Sequence, residues 1–154
     1  MFSSVRAVFF RLCAWSVLAI GIFAASCAVA GGTPIRLVVV TSADSRIGPL
    51  TRPMIRKIYL GSSAGIASQP IHPLINQSNR LLYEMFLQKV LFMSKETYER
   101  HMRHSKFAAG TLLPVSYRSE ARLLKHLNAH PDSISYVPDH VAAQWPAMRV
   151  VARL

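Results

Sequence analysis

The chain has 154 residues, 51% hydrophobic and 16% charged, so it is neither a disordered tail nor long enough for a two-domain enzyme or a repeat array. Eighteen Lys and Arg against seven Asp and Glu give a formal charge of +11. That excess fits a soluble basic surface or an anionic partner such as a phosphate-like ligand, nucleic acid, acidic lipid or polysaccharide. The basic residues are spread from Arg36 to Arg153, with no dense run and no recognisable nucleic-acid module, which argues against nucleic acid.

Residues 1–11 carry Arg6 and Arg11 and no acid, and residues 12–30 are nearly all apolar or small. Ala28-Val29-Ala30 offers small residues where a signal peptidase reads, with cleavage before Gly31. Residues 1–30 therefore read as an export signal and 31–154 as the mature domain in the periplasm. Two alternatives stay open. Nineteen apolar residues could just span a bilayer as an anchor, and Ala24-Ala25-Ser26-Cys27 resembles a lipobox. Without Arg6 and Arg11, 16 basic residues face 7 acidic ones, a balance of +9 for the mature domain. Both cysteines, Cys13 and Cys27, lie in the leader, so the domain has no disulfide, thiolate metal site or cysteine nucleophile.

Ile35 to Val40 is a compact β-branched run that predicts a buried strand, broken by Thr41 to Ser45. Thr51 then caps a helix over 52–60, with Pro53 in its first turn and Gly61 at its end. Residues 61–70 read as a loop. Ile71 to Ile75 predicts a second strand, at an edge or short because Pro73 cannot donate to a ladder. Ser78 or Asn79 caps a long helix over 79–92, buried through Leu82, Met85, Phe86, Leu87 and Val90. Ser94 starts another helix, to about His104, with Glu96 in its first turn. Residues 108–114 read as a loop. Ser119 begins a helix to about Asn128, buried through Ala121, Leu124 and Leu127. Strands follow at 134–137 and 148–152. The alternation predicts an α/β fold, a single small mixed sheet with helices on its faces.

The chemistry concentrates at the turn after the second strand, Asn76-Gln77-Ser78-Asn79-Arg80. The first amides of a helix have no internal partner and its dipole favours an anion. Ser78, Asn76, Gln77 and Asn79 can add hydrogen bonds, and Arg80 can add charge. Ordinary helix capping accounts for the same residues. Ser42, on the turn after the first strand, is expected near the same end of the sheet. Six histidines raise the question of a metal. His101 and His104 are three apart, and His126 and His130 four apart with His130 past the helix end, but no third ligand is evident. Neither a metal nor any cofactor is implied. No G-x-S-x-G, H-E-x-x-H or P-loop occurs and the acids are scattered, so the chain does not read as an enzyme. Tyr59, Tyr83 and Tyr98 read as half-buried core aromatics.

Leu50 to Gly61, LTRPMIRKIYLG, resembles the L-x-x-x-x-L-x-x-I-F-L-G segment of phosphate-binding proteins of ABC transporters. Gln69 to Leu74 looks like the strand before that family's phosphate loop, and Ser78 to Leu91 resembles the helix that opens with its Ser-Gly-Thr motif. Pro131 to Val137, PDSISYV, looks like its P-G-A-I-G-Y-V segment. The resemblance spans about residues 35–140 and implies one lobe of the type II periplasmic binding fold. It implies phosphate or a related oxyanion as ligand, and an ABC transporter, or a second protein completing the cleft, as partner. In that alignment only Ser78 matches a ligand residue directly; the family's loop Arg falls on Leu74, its Gly on Asn79 and its Thr on Arg80. A rival reading is a non-enzymatic interaction module that keeps the fold without the ligand and docks an acidic surface.

Overall fold

A computed structural model describes residues 35–62, 70–105 and 113–154. The signal, anchor and lipobox readings of residues 1–30 lie outside these, as do most of the predicted loops at 61–70 and 108–114. The described residues fall in one unit, Pro34–Leu154.

Five strands, β1 (Leu37–Ser42), β2 (His72–Asn76), β3 (Val115–Tyr117), β4 (Ser133–Pro138) and β5 (Met148–Arg153), form one sheet in the order β3-β2-β4-β1-β5. β2 runs parallel to β3 and β4, whereas β1 is antiparallel to β4 and β5. The helices are α1 (Arg52–Tyr59), α2 (Arg80–Phe86), α3 (Lys95–Ser105), α4 (Glu120–Ala129) and α5 (Asp139–Gln144). Side chains alternate across β1, so each face of the sheet has its own core. Leu37 and Val39 join Ile55, Ile58, Phe86 and Tyr136 on the face covered by α1 to α3. Val38 and Val40 join Leu123, Leu124, Leu127 and Val141 on the face covered by α4 and α5. The expected mixed sheet with helices on its faces is the fold observed.

Several elements differ from expectation for identifiable reasons. β1 starts and ends two residues later than the apolar run, because Thr41 and Ser42 pair with Arg149 and Met148 of β5. The fully buried Thr41 hydroxyl donates to Ser133 O at 2.8 Å, which satisfies it inside the sheet. β2 is interior, not an edge strand. His72 N–H donates to Asp132 O, on the β4 side. Neighbouring residues of a strand bond to opposite sides, so Pro73 turns its missing donor toward β3. The β3 ladder begins only at Leu74, and nothing there needs that donor.

The helix expected over 79–92 is not uniform. α2 widens into a π-helical turn, Leu87–Leu91, which ends at Phe92 with φ of 55°. A left-handed aromatic is unusual, and Phe92 is also 72% exposed, with the Arg56 guanidinium 5.7 Å from its ring centre. Gly61, by contrast, takes φ of 85° just past α1, where glycine costs least. Thr51 occupies the N-cap position of α1 without a side-chain bond. Ser94 and Ser119 do cap their helices, accepting from Thr97 N at 3.3 Å and Arg122 N at 3.5 Å. In α4 the buried residues are Leu123, Leu124 and Leu127, while Ala121 is exposed. β3 and α5 had no counterpart in the sequence reading. Tyr59, Tyr83 and Tyr98 are fully rather than half buried, at 0%, 5% and 3% exposure. Phe86 stacks on Tyr136 at 3.8 Å and meets Tyr59 edge-on at 4.7 Å, which makes this aromatic group the centre of the first core.

Candidate functional site

β2, β3 and β4 all point their carboxyl ends the same way, and open α/β sheets bind ligands in the crevice beyond such ends. β2 ends there at Asn76, whose side chain is fully buried. Asn76 Nδ2 donates to Tyr136 O on β4 at 3.2 Å, and Tyr136 hydroxyl returns a bond to Asn76 O at 2.9 Å. This exchange ties the end of β2 to β4. Asn76 Oδ1 accepts from Ser78 N at 3.1 Å and from Ser78 Oγ at 2.7 Å, which shapes the turn. Gln77 N donates to Tyr117 O at the end of β3 at 2.8 Å.

Asn79, not Ser78, is the N-cap of α2. Its extended backbone (φ −131°, ψ 124°) lets Oδ1 accept from Leu81 N at 2.9 Å and Leu82 N at 3.3 Å. Arg80 Nε donates to Glu84 Oε1 at 2.8 Å, and the Arg80 side chain is 89% exposed. Glu84, through that bond and its charge, holds the guanidinium even more firmly protonated than usual.

Asn76, Gln77, Ser78, Asn79 and Arg80 are therefore together at one end of the sheet. Ser42 is not with them. β1 is antiparallel to β4, so its carboxyl end lies beside the amino ends of β4 and β2. Ser42 is buried there, accepting from Asp44 N at 3.4 Å. The expectation that it approaches the same end fails because β1 enters the sheet in the opposite sense to β2.

A cavity of about 300 Å³ opens beside this turn, between α3 and the β2–β3 edge. Its polar lining is Gln77, Tyr83, Glu99, Arg103 and Ser116. Of these only Gln77 belongs to the predicted set. From the sequence Glu99 is one of the scattered acids and Tyr83 a core aromatic. The available signal was the opposite charges of Glu99 and Arg103 four residues apart.

Among the described residues, no three His, Cys, Asp or Glu are grouped so that they could hold an ion. His130 caps the end of α4, as expected, with its ring 4.1 Å from that of His126. Burial and the neighbouring His130 hold the His126 imidazole below its ordinary titration range. His72 Nε2 lies 3.4 Å from Asp132 Oδ2. His101 Nε2 lies 3.4 Å from Leu60 O. Among the described residues, no helix is long and apolar enough to cross a membrane.

No protein-family model matches the sequence, and no curated protein matches it. Solved structures do. One is an ABC-type phosphate transport receptor from Vibrio cholerae, at 11% identity and a TM-score of 0.56, covering 76% of this chain and 45% of the receptor. Another is PstS from Borrelia burgdorferi, at 15% identity and a TM-score of 0.56, covering 77% of this chain and 47% of that one. The chain spans less than half the length of either structure. At such low identity the likeness is one of fold. The five-stranded mixed sheet with helices on both faces is the fold that the chain shares with part of each of these structures.

Proposed function

We propose that this chain is an exported solute-binding domain that takes phosphate or a related oxyanion at the start of α2 and serves phosphate ABC transport. The observation that carries the reading is the turn itself. The carboxyl end of β2 passes directly into a helix start bearing Ser78, Asn79 and the exposed Arg80, on a fold shared with phosphate transport receptors. Asn76 takes the Ser78 amide and Asn79 takes those of Leu81 and Leu82. Among the described residues the amides of Asn79 and Arg80 have no hydrogen-bond partner, and the helix dipole favours negative charge there.

A half-cleft of this kind binds weakly. A partly exposed helix terminus contributes about 0.3–1 kcal/mol. Two or three charge-assisted hydrogen bonds add about 1.5–3 kcal/mol each, against an association cost of about 4 kcal/mol or more. The balance runs from about zero to about −6 kcal/mol, a millimolar affinity or weaker over most of that range. A tighter site needs a second wall, which another copy or another protein would supply. Residues 1–30 act as a cleaved signal in this reading, which puts the domain in the periplasm, and processing at Cys27 would tether it there.

One observation favours the rival reading, an interaction module without a ligand. The Ser78 hydroxyl, the Asn79 carboxamide oxygen and the Arg80 guanidinium are each already bonded within the chain, at 2.7, 2.9 and 2.8 Å. Calorimetric titration of the purified protein with phosphate, with sulfate as control at low salt, separates the two. Saturable phosphate binding that Ser78→Ala and Arg80→Ala both weaken supports the site. No heat at millimolar phosphate, with salt-sensitive binding to an acidic surface, supports the module.

A further inference from the structure

The oxyanion reading leaves the cavity of about 300 Å³ between α3 and the β2–β3 edge unused. That volume is at the lower end of the range for small-molecule sites. Neither Ser78 nor Arg80 lines it. Glu99 and Arg103 both do, and residues four apart on a helix start about 5–6 Å from each other on one face. They are not paired with each other. Glu99 makes a long 3.9 Å contact with Lys95, and among the described residues Arg103 has no carboxylate within 4.0 Å. Tyr83 is 5% exposed and lines the same space. Burial, then the Glu99 charge, keeps its phenol protonated well into the alkaline range, so it is available as a donor. Ile75, Tyr98, Met102 and Pro114 give the cavity an apolar wall.

This set selects a ligand by charge. A phosphate dianion would meet the Glu99 carboxylate, and a simple cation would meet the Arg103 guanidinium. A molecule bearing both charged groups on one carbon satisfies both. We infer that this cavity is a binding site for an apolar amino acid, with its carboxylate on Arg103, its ammonium on Glu99 and its side chain against Ile75 and Met102. The site adjoins the oxyanion turn, sharing only Gln77 with it, and stands whether or not that turn binds phosphate.

The test is calorimetry of the full chain with L-leucine and L-methionine, with acetate and methylamine as single-charge controls. Both amino acids are expected to bind saturably and the controls not at all. Glu99→Gln and Arg103→Gln each remove one charge-assisted contact and should weaken binding about tenfold or more. Ser78→Ala should leave it unchanged, which separates this site from the oxyanion reading. Should either charge variant fail to fold, Ser116→Leu, which fills the cavity from β3, should abolish binding with the charges intact. No saturable heat from either amino acid at millimolar concentration overturns the inference. So do equal binding of acetate or methylamine, and unchanged affinity in the variants.

Discussion

The Asn76 side chain should be worth more to this domain than any other polar group at the candidate site. It is fully buried and makes three hydrogen bonds, from Nδ2 to Tyr136 O at 3.2 Å and to Oδ1 from Ser78 N at 3.1 Å and Ser78 Oγ at 2.7 Å. In Asn76→Ala the buried Tyr136 carbonyl loses this donor, which costs about 1–3 kcal/mol. The two bonds to Ser78 contribute about 0.5–1.5 kcal/mol each in principle. Water reaches the exposed Ser78 and offsets part of that, so the expected total is about 2–4 kcal/mol. Ser78→Ala removes one bond at an exposed hydroxyl and should cost about 0.5–1 kcal/mol. In the double variant the Ser78 change should add almost nothing, since its hydroxyl partner is already gone. Urea unfolding followed by circular dichroism gives all three values. An Asn76→Ala cost under about 1 kcal/mol, or full additivity in the cycle, would refute the view that Asn76 organises the turn.

Phe86→Ala should destabilise the fold by about 3–5 kcal/mol, because it removes a fully buried ring stacked on Tyr136 at 3.8 Å; urea unfolding measures this. Burial, above all, raises the phenol pKa values of Tyr59, Tyr98 and Tyr136. The unfolded chain therefore releases those protons first, so stability should fall as pH rises past about 10, with a step in phenolate absorbance at the unfolding transition. The His126 pKa is lowered by burial and then by His130. As pH falls through about 6.5 the unfolded chain takes up that proton first and folded stability drops. His130→Ala should move the His126 titration upward by nuclear magnetic resonance, and an unchanged or lower value would contradict the ring–ring contact.

The candidate turn was largely readable in advance. Asn76, Gln77, Ser78, Asn79 and Arg80 are contiguous, so a strand ending and a helix starting around them suffice to bring them together. Their local bonds also span two to four residues, within reach of sequence reasoning. Ser42 was misplaced because its position depends on the sense in which β1 enters the sheet, and nothing within residues 35–45 encodes that. Pro73 misled for a related reason. Its local rule is sound, but the register with β3, which starts one residue later, decides whether a missing donor matters.

By itself the sequence determined the class of fold and the order of its main elements. Apolar runs and capping residues act over a few neighbours, and hydrophobic periodicity records which face each element must bury. Only the tertiary structure decided the sheet order β3-β2-β4-β1-β5, the antiparallel entry of β1, the three-residue β3, and the cavity that joins Gln77 and Tyr83 to Glu99 and Arg103. Those features rest on contacts between residues far apart in the chain, where many arrangements share the same local pattern and packing of the whole selects among them.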